Sequence, residues 1–208
     1  MVTANSRHVL VSLFIVLQCG GILAQIGDQT KMSDCLKTCL KPLLKIDRSF
    51  TYQFLNFDKV CEALDKSQSC VSKCSTHDQK AFYQFTSFFR LHCVEFEEEL
   101  EEQMPCLRTV VAQVDKKCIS KCGIKTDKSM SKEQKMKLTC QQVECNTLCY
   151  FENFSNLCPD AREVLMRINI RQTQELAMVT TDEQISKMEA ECQNIHNLNY
   201  MKMKFVAI

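Results

Sequence analysis

The segment CISKC at residues 118–122 is one of four segments in this 208-residue chain in which two cysteines stand four positions apart. The other three are CLKTC at 35–39, CVSKC at 70–74 and CNTLC at 145–149. A spacing of four places both sulfur atoms on one face of an α-helix, one turn apart. The four segments therefore predict a fold of the all-α class, a disulfide-rich bundle of roughly six to eight helices.

The geometry of such a cysteine pair favours bridges to a neighbouring helix. Its two Cα–Cβ vectors are parallel, so each sulfur bonds more easily to a facing cysteine than to the other member of the pair. Two facing pairs on antiparallel helices would form a nested double bridge. One possibility is Cys39 with Cys70 and Cys35 with Cys74, and another joins segment 118–122 to segment 145–149. The connectivity stays open, because fourteen cysteines allow on the order of 10⁵ complete pairings.

The N-terminus, residues 1–24, has the layout of a signal peptide. Arg7 precedes an apolar run over residues 9–17, and Ala24 is the expected cleavage site. The run is about half of the ~20 residues that a helix needs to cross a bilayer, so secretion is favoured over a membrane anchor. Cleavage would also remove Cys19 and leave an even number of cysteines, which fits complete pairing in an extracellular protein.

Every cysteine of the mature chain is expected to form a disulfide, since export exposes thiols to an oxidising compartment. These cysteines are Cys35, Cys39, Cys61, Cys70, Cys74, Cys93, Cys106, Cys118, Cys122, Cys140, Cys145, Cys149, Cys158 and Cys192. The polar stretch 123–131 has nine of them before it and five after it. Two odd numbers require at least one disulfide across the stretch, which predicts a single domain over residues 25–208. Zinc ligation is the weaker alternative, because structural zinc sites favour closer cysteine spacings.

Charge and glycine content argue against several classes of function. The 26 basic residues become 25 when Arg7 is removed, which equals the 25 acidic residues. A balanced surface has no long-range attraction for nucleic acid or for anionic membranes, so no nucleic-acid partner is expected. Only Gly27 and Gly123 remain after residue 24. Hairpins and phosphate-binding loops need glycine, so we expect neither a sheet nor a nucleotide or other cofactor.

Helix boundaries follow from capping residues and apolar periodicity. Capping boxes are predicted at 76–79, 131–134 and 181–184, and Gly123 and Pro159 suit positions just after and just inside a helix. The predicted helices lie near residues 30–45, 50–65, 67–75, 78–104, 106–122, 131–151, 159–175 and 181–198. A kink or restart is expected at Pro42, and a new helix at Pro105.

A stripe of aromatic and apolar residues predicts one central helix over residues 78–104. It comprises Phe82, Phe85, Phe89, Cys93, Phe96 and Leu100, which repeat at intervals of three and four. Six glutamates crowd the end of this helix: Glu95, Glu97, Glu98, Glu99, Glu101 and Glu102. A helix C-terminus disfavours acids, so we expect a solvated face balanced by lysines of a neighbouring helix. A site for calcium or a basic partner is the alternative.

One short segment has an enzyme-like sequence. Residues 74–78, Cys-Ser-Thr-His-Asp, resemble part of the secreted phospholipase A2 signature, in which the histidine activates water and the aspartate binds calcium. Lys73 stands where that family has a second cysteine, and the glycine-rich calcium loop is missing. We expect His77 and Asp78 to lie in the first turn of a helix, where Asp78 complements the helix dipole. The chain is therefore predicted to be non-enzymatic, with no catalytic or metal-binding residues.

Three further residues have predicted surroundings. Asn153-Phe154-Ser155 is the only N-glycosylation sequon, and a glycan at Asn153 is expected if that part of its helix is exposed. His92 is predicted at the edge of the core, and His196 in a polar tail.

The cysteine framework over residues 35–122 resembles the nematode chondroitin proteoglycan 4 domain family. The matching features are Cys35-x-x-x-Cys39-Leu40, the Cys70/Cys74 pair, the Phe-rich helix before Cys93, Met104-Pro105-Cys106-Leu107 and Cys118-x-x-x-Cys122. The resemblance covers somewhat under half of the chain and leaves residues 123–208 as a helical extension. It implies a secreted domain without a known enzymatic site, which in some members carries chondroitin chains. Chondroitin is attached at Ser-Gly, and this chain has no Ser-Gly, so we expect none.

These observations predict a secreted, non-catalytic protein. It would act either as a structural component of an extracellular, eggshell-like matrix or as an extracellular binding module, with an unidentified protein or matrix partner. Lipid carriage is a third possibility, because the amphipathic helices are rich in phenylalanine and methionine, although an ordinary core explains the same residues.

Overall fold

The computed structural model describes residues 32–47, 49–124, 127 and 129–208, so the predicted signal peptide at 1–24 lies outside the described residues. Eleven α-helices form in the described part of the chain: α1 (Asp34–Leu44), α2 (Phe50–Leu55), α3 (Phe57–Val71), α4 (Thr76–Phe85), α5 (Ser87–Arg90), α6 (Glu97–Cys122), α7 (Lys132–Leu157), α8 (Arg162–Val179), α9 (Asp182–Ser186), α10 (Ala190–His196) and α11 (Leu198–Ala207). A π-helical turn occupies Leu91–Glu95, and a 3-10 turn occupies Pro159–Ala161. No strand occurs among these residues, and the predicted disulfide-rich all-α fold is confirmed.

Seven disulfides use all fourteen cysteines of the predicted mature chain. They are Cys35–Cys74, Cys39–Cys70, Cys61–Cys93, Cys106–Cys158, Cys118–Cys149, Cys122–Cys145 and Cys140–Cys192. The predicted nested bridges between segments 35–39 and 70–74 are confirmed, and segments 118–122 and 145–149 form a second nested pair. Three of the seven bridges cross the stretch 123–131 and hold α6 against α7.

The buried core is continuous from α1 to α11 in the described residues. Its largest fully buried side chains include Phe54, Phe151, Phe154 and Phe205. The Phe50 ring centroid lies 4.6 Å from that of Tyr150 and 5.8 Å from that of Phe154, so α2 packs its aromatic face onto α7. Aromatic pairs at these distances contribute about 0.5–1.5 kcal/mol each beyond area burial.

The predicted central helix over 78–104 is wrong, because the chain breaks at two positions. Thr86 separates α4 from α5, and its hydroxyl donates to the Phe82 carbonyl at 2.8 Å. Farther along, Phe96 donates its N–H to the Leu91 carbonyl at 3.0 Å, which closes a widened π-helical turn. The three consecutive residues 91–93 are all buried. A regular α-helix with one narrow core-facing stripe does not bury three consecutive residues, and the wider turn does.

The acidic cluster lies at the start of a helix and not at its end. Glu97, Glu98 and Glu99 form the first turn of α6, where the positive end of the helix dipole stabilises carboxylates. Glu99 and Glu95 also pair with Arg167 and Arg171 of α8. The balancing charges are therefore arginines, where lysines were expected.

Two prolines lie inside helices. The expected new helix at Pro105 is wrong, since α6 continues through it from Glu97 to Cys122. Pro105 and Glu101 are exposed, so water can bond the carbonyl that the missing proline N–H leaves free. Pro42 lies within α1, which ends two residues later. Pro159 does begin the 3-10 turn, as predicted.

Helix caps agree with the sequence in two of three places. The capping boxes of Ser131 with Gln134 and Thr181 with Gln184 are confirmed. The box predicted at 76–79 is wrong by one residue, because Ser75 is the cap of α4. Gly123 follows α6 in an extended conformation, and a Cβ there would lie 2.8 Å from the Ile119 carbonyl oxygen. Glycine is needed at this position for close backbone approach.

Candidate functional site

A small cavity of about 60 Å³ lies between α2, α5 with the π-helical turn, α7 and α8. Five aromatic rings line it: Phe50, Phe88, Tyr150, Phe151 and Phe154. Val143, Leu165 and Ile168 complete the apolar wall. Polar atoms come from His92, Asn146, Thr147, Asn169 and Gln172. The site is therefore an aromatic cavity with a small number of polar groups, which is the usual composition of a ligand-binding site.

Helical periodicity explains how α7 and α8 build this cavity. The lining residues of α7 are 143, 146, 147, 150, 151 and 154, and those of α8 are 165, 168, 169 and 172. Intervals of three and four place each set on one helix face. Asn146 and Asn169 occupy positions where this pattern calls for apolar residues. That polar substitution is the sequence signal that the predictions missed.

Asn146 is a buried amide with an unused donor. Its side chain is 8 % exposed, and Nδ2 has no hydrogen-bond partner among the described residues. Leaving a buried donor without an acceptor costs about 1–3 kcal/mol. An acceptor inside the cavity, supplied by water or by a ligand, would remove that cost.

His92 also lines the cavity and is buried, with 6 % of its surface exposed, so its predicted place at the edge of the core is wrong. Nδ1 lies 2.8 Å from the Phe88 carbonyl oxygen. A carbonyl can only accept, so Nδ1 carries the hydrogen and Nε2 keeps its lone pair. Burial lowers the pKa of His92 to about 4, with the Phe88 hydrogen bond opposing the shift. The imidazole is neutral at pH 7.

Asp115 holds the start of α2 in place beside the cavity. Its carboxylate accepts the Thr51 N–H at 2.9 Å and also the Thr51 hydroxyl. These bonds satisfy a free N–H in the first turn of α2 and fix the adjacent Phe50 ring. Burial, followed by the charge of Asp115, raises the pKa of Tyr150, so its phenol stays protonated.

The lowered pKa of His92 leads us to expect that the protein loses stability in acid. Because the pKa of His92 is about 4 when folded and about 6.5 when unfolded, the unfolded chain binds the proton first as pH falls. Stability is complete above pH 6.5 and declines toward pH 4. Between pH 7 and pH 5, the wild-type protein is expected to lose about 2 kcal/mol more unfolding free energy than His92→Gln. Guanidinium titrations at both pH values measure this difference.

His77→Gln is the matched control for this experiment, because His77 is exposed. His196 does not distort the comparison, since it is present in every variant. If wild type and His92→Gln lose the same unfolding free energy between pH 7 and pH 5, the lowered pKa of His92 is contradicted.

The other sequence-predicted candidates have structural contacts. Asp78 accepts hydrogen bonds from the Ser75 and Ser33 hydroxyls, each at 2.8 Å, and these bonds lower its pKa. Asp78 thus joins the starts of α1 and α4, in the first helical turn as expected. His77 is exposed beside it. The sulfur atoms of Cys35, Cys39 and Cys74 lie within 4.8 Å of one another, but each is bonded in a disulfide.

His196 is not in a polar tail. It is buried in α10, where Nδ1 lies 2.7 Å from the Cys192 carbonyl oxygen. Burial lowers its pKa. Its Nε2 is buried and has no hydrogen-bond partner among the described residues.

Asn153 is buried within α7, so the exposure on which its glycosylation was conditional is not present. Its amide nitrogen donates to the Cys149 carbonyl at 2.7 Å, and its oxygen accepts from Lys117 Nζ at 2.6 Å. The side chain thus supports the nested bridges between α6 and α7. The folded chain does not present Asn153 for a glycan.

Comparisons with known proteins identify no relative. No protein-family model, curated protein or solved structure gives a significant match to the chain. The resemblance of residues 35–122 to the chondroitin proteoglycan 4 domain stays a prediction. Within the described ranges, no helix has the length and apolar character that a membrane crossing requires.

Proposed function

We propose that this protein is a secreted, non-catalytic binding module of the extracellular space. Seven disulfides support the compartment, because reducing systems of the cytosol keep such thiols unpaired. The predicted signal peptide at 1–24 is the route of export. Within this proposal, the disulfides keep a small helical protein folded outside the cell.

The single observation that carries the proposal is the aromatic cavity with the unpaired Asn146 donor. Among the described residues that have a buried polar atom without a partner, Asn146 is the one that lines the cavity; the others are Ser67, Asp115, Ser155 and His196. His92 Nδ1 bonds the Phe88 carbonyl, and the described lining of the cavity holds no carboxylate, cysteine or second histidine that could act with His92 as a catalytic pair. The cavity volume of about 60 Å³ does not favour carriage of a whole lipid chain.

A matrix component is the second candidate, and one surface feature favours it. Met203 and Val206 lie three residues apart on α11 and are 66 % and 74 % exposed. They form an apolar strip on one helix face, which suits association with other extracellular material. Such a component would be retained in an insoluble layer.

Secretion of the full-length chain from cultured eukaryotic cells tests the proposal. We expect soluble protein in the medium without free thiols, and native mass spectrometry of protein purified from its natural source should detect a bound small molecule. Retention in an insoluble extracellular layer that only denaturant releases would overturn the binding module in favour of the matrix component. Reduced protein in the cytosol would overturn both.

A further inference from the structure

We propose that the aromatic cavity binds an uncharged hydroxyl group carried on a single ring or a short apolar chain. This inference rests on the proposed binding function and specifies the chemistry of the ligand. It follows from three properties of the cavity: its size, its hydrogen-bonding groups and its charge.

The size admits one small group. A water molecule needs about 10–15 Å³ of such space and a cavity that encloses benzene measures about 150 Å³, so about 60 Å³ holds about five waters or the polar end of a ring, but not a whole ring. Five lining residues keep part of their surface in solvent, so the lining is not closed off from water: Phe50, Phe88, Thr147, Asn169 and Gln172. A ring can therefore enter with its polar end and leave its far edge outside the cavity.

The hydrogen-bonding groups complement a hydroxyl. Asn146 Nδ2 offers a donor that no described residue uses, and His92 Nε2 offers the lone pair that remains after Nδ1–H bonds Phe88. A hydroxyl is both donor and acceptor, so it has the hydrogen-bonding chemistry that each of the two residues lacks. A ketone would satisfy only Asn146, and a hydrocarbon would satisfy neither.

The charge of the lining argues for a neutral ligand. The described residues that line the cavity include no lysine, arginine, aspartate or glutamate. Two charges of opposite sign act on lining rings from outside the cavity: Asp115 acts on Tyr150, and the Arg162 guanidinium carbon lies 5.2 Å from the Phe151 ring centroid. Burying an unpaired charge in an aromatic cavity is strongly unfavourable, so carboxylates and ammonium groups are excluded.

Phenol and toluene test the proposal on the full-length secreted protein, because they share size and ring and differ in the hydroxyl. Chemical shifts of the Asn146 side-chain amide and the His92 ring are followed during titration. We expect phenol to bind saturably and about fivefold more tightly than toluene. This ratio corresponds to about 1 kcal/mol, which is the net contribution of one or two neutral hydrogen bonds. Asn146→Leu keeps approximate volume and removes the donor, so the preference for phenol should disappear while toluene still binds.

Asn156→Leu is the control, because Asn156 lies in the same helix and is exposed. It should keep the wild-type preference. Thermal unfolding of both variants verifies that they are folded. Equal affinity for phenol and toluene in the wild type, or a preference that survives Asn146→Leu, would overturn the hydroxyl inference while the binding module stands. A cavity that takes up neither compound and holds only water also overturns the inference. The proposed binding function is overturned separately, by the secretion experiment and by native mass spectrometry of the protein from its natural source.

Discussion

Removing both nested bridges that join α1 to α3 and to the turn after it is expected to lower the free energy of unfolding by about 6 kcal/mol, whereas removing either one costs only about 2.5 kcal/mol. The bridges Cys35–Cys74 and Cys39–Cys70 close loops with sequence separations of 39 and 31 residues. While one bridge remains intact, the second closes a loop of only about eight residues, made of segments 35–39 and 70–74. Closing this short loop removes less conformational entropy from the unfolded chain than closing the full loop does. The double removal should exceed the sum of the single ones by about 1 kcal/mol.

Alanine substitutions of the four cysteines, in pairs and together, measure this coupling by denaturant unfolding without reductant. The control is the pair of bridges Cys61–Cys93 and Cys140–Cys192, whose loops do not overlap in sequence. Their removals should be additive. Additive costs for the nested bridges as well would show that the two bridges do not share one loop.

Glu175→Ala is expected to destabilise the protein by about 2–3 kcal/mol, below the full cost of breaking a buried ion pair, because the pair is partly buried and Arg171 keeps Glu95 as a partner. Glu175 of α8 accepts from Arg90 at 3.1 Å and from Arg171 at 3.2 Å. It also accepts the Ser87 hydroxyl, so one carboxylate joins α8 to α5. Arg90 and Glu175 side chains are each 13 % exposed, and the substitution leaves two guanidinium groups without their shared counter-charge.

The matched control is Glu183→Ala. Glu183 pairs with Lys187 at 2.6 Å, but these side chains are 78 % and 71 % exposed. An exposed pair contributes about 0–1 kcal/mol, so its removal should be nearly neutral. Denaturant unfolding at pH 7 compares the variants. Equal effects of the two substitutions would show that the Glu175 network is solvated and does not fasten α8.

The cysteine spacing predicted the disulfide framework well because it depends on local geometry. Residues four apart in a helix share a face whatever surrounds them, and antiparallel neighbours then pair their cysteines in nested order. Cys118 and Cys122 in α6 and Cys145 and Cys149 in α7 follow this rule, whereas Cys74 lies in the turn between α3 and α4. Three bridges were not predicted, because single cysteines acquire their partners from tertiary packing alone: Cys61–Cys93, Cys106–Cys158 and Cys140–Cys192.

The errors in the helix boundaries have a common cause in tertiary contacts. The phenylalanine stripe has helical intervals on both sides of Phe96, so periodicity could not locate the break there. The break occurs there because residues 91, 92 and 93 are all buried, which a regular α-helix does not allow. Once α6 begins at Glu97, the glutamates fit the helix dipole. Six glutamates at the C-terminus of the predicted helix 78–104 conflict with the helix dipole. Such a conflict indicates that a helix ends before the acidic cluster and that another begins there.

The candidate site was largely missed for a different reason. The catalytic pattern that the sequence contains lies at His77 and Asp78, and Asp78 makes the hydrogen bonds of a helix start. Asn146 lies within a Cys-x-x-x-Cys segment and at an apolar position of α7, so its polarity was visible in the sequence. Its lack of a partner was not visible, because that depends on α2 and α8, which pack around it.

Disulfide mapping by mass spectrometry of the natively secreted protein, digested without reductant, tests the central claim most directly. We expect no free thiol and seven cross-linked pairs, with Cys35 joined to Cys74, Cys39 to Cys70, Cys118 to Cys149 and Cys122 to Cys145. Bridges within a Cys-x-x-x-Cys segment, parallel pairing such as Cys35 with Cys70, or reduced cysteines holding a metal ion would contradict the account.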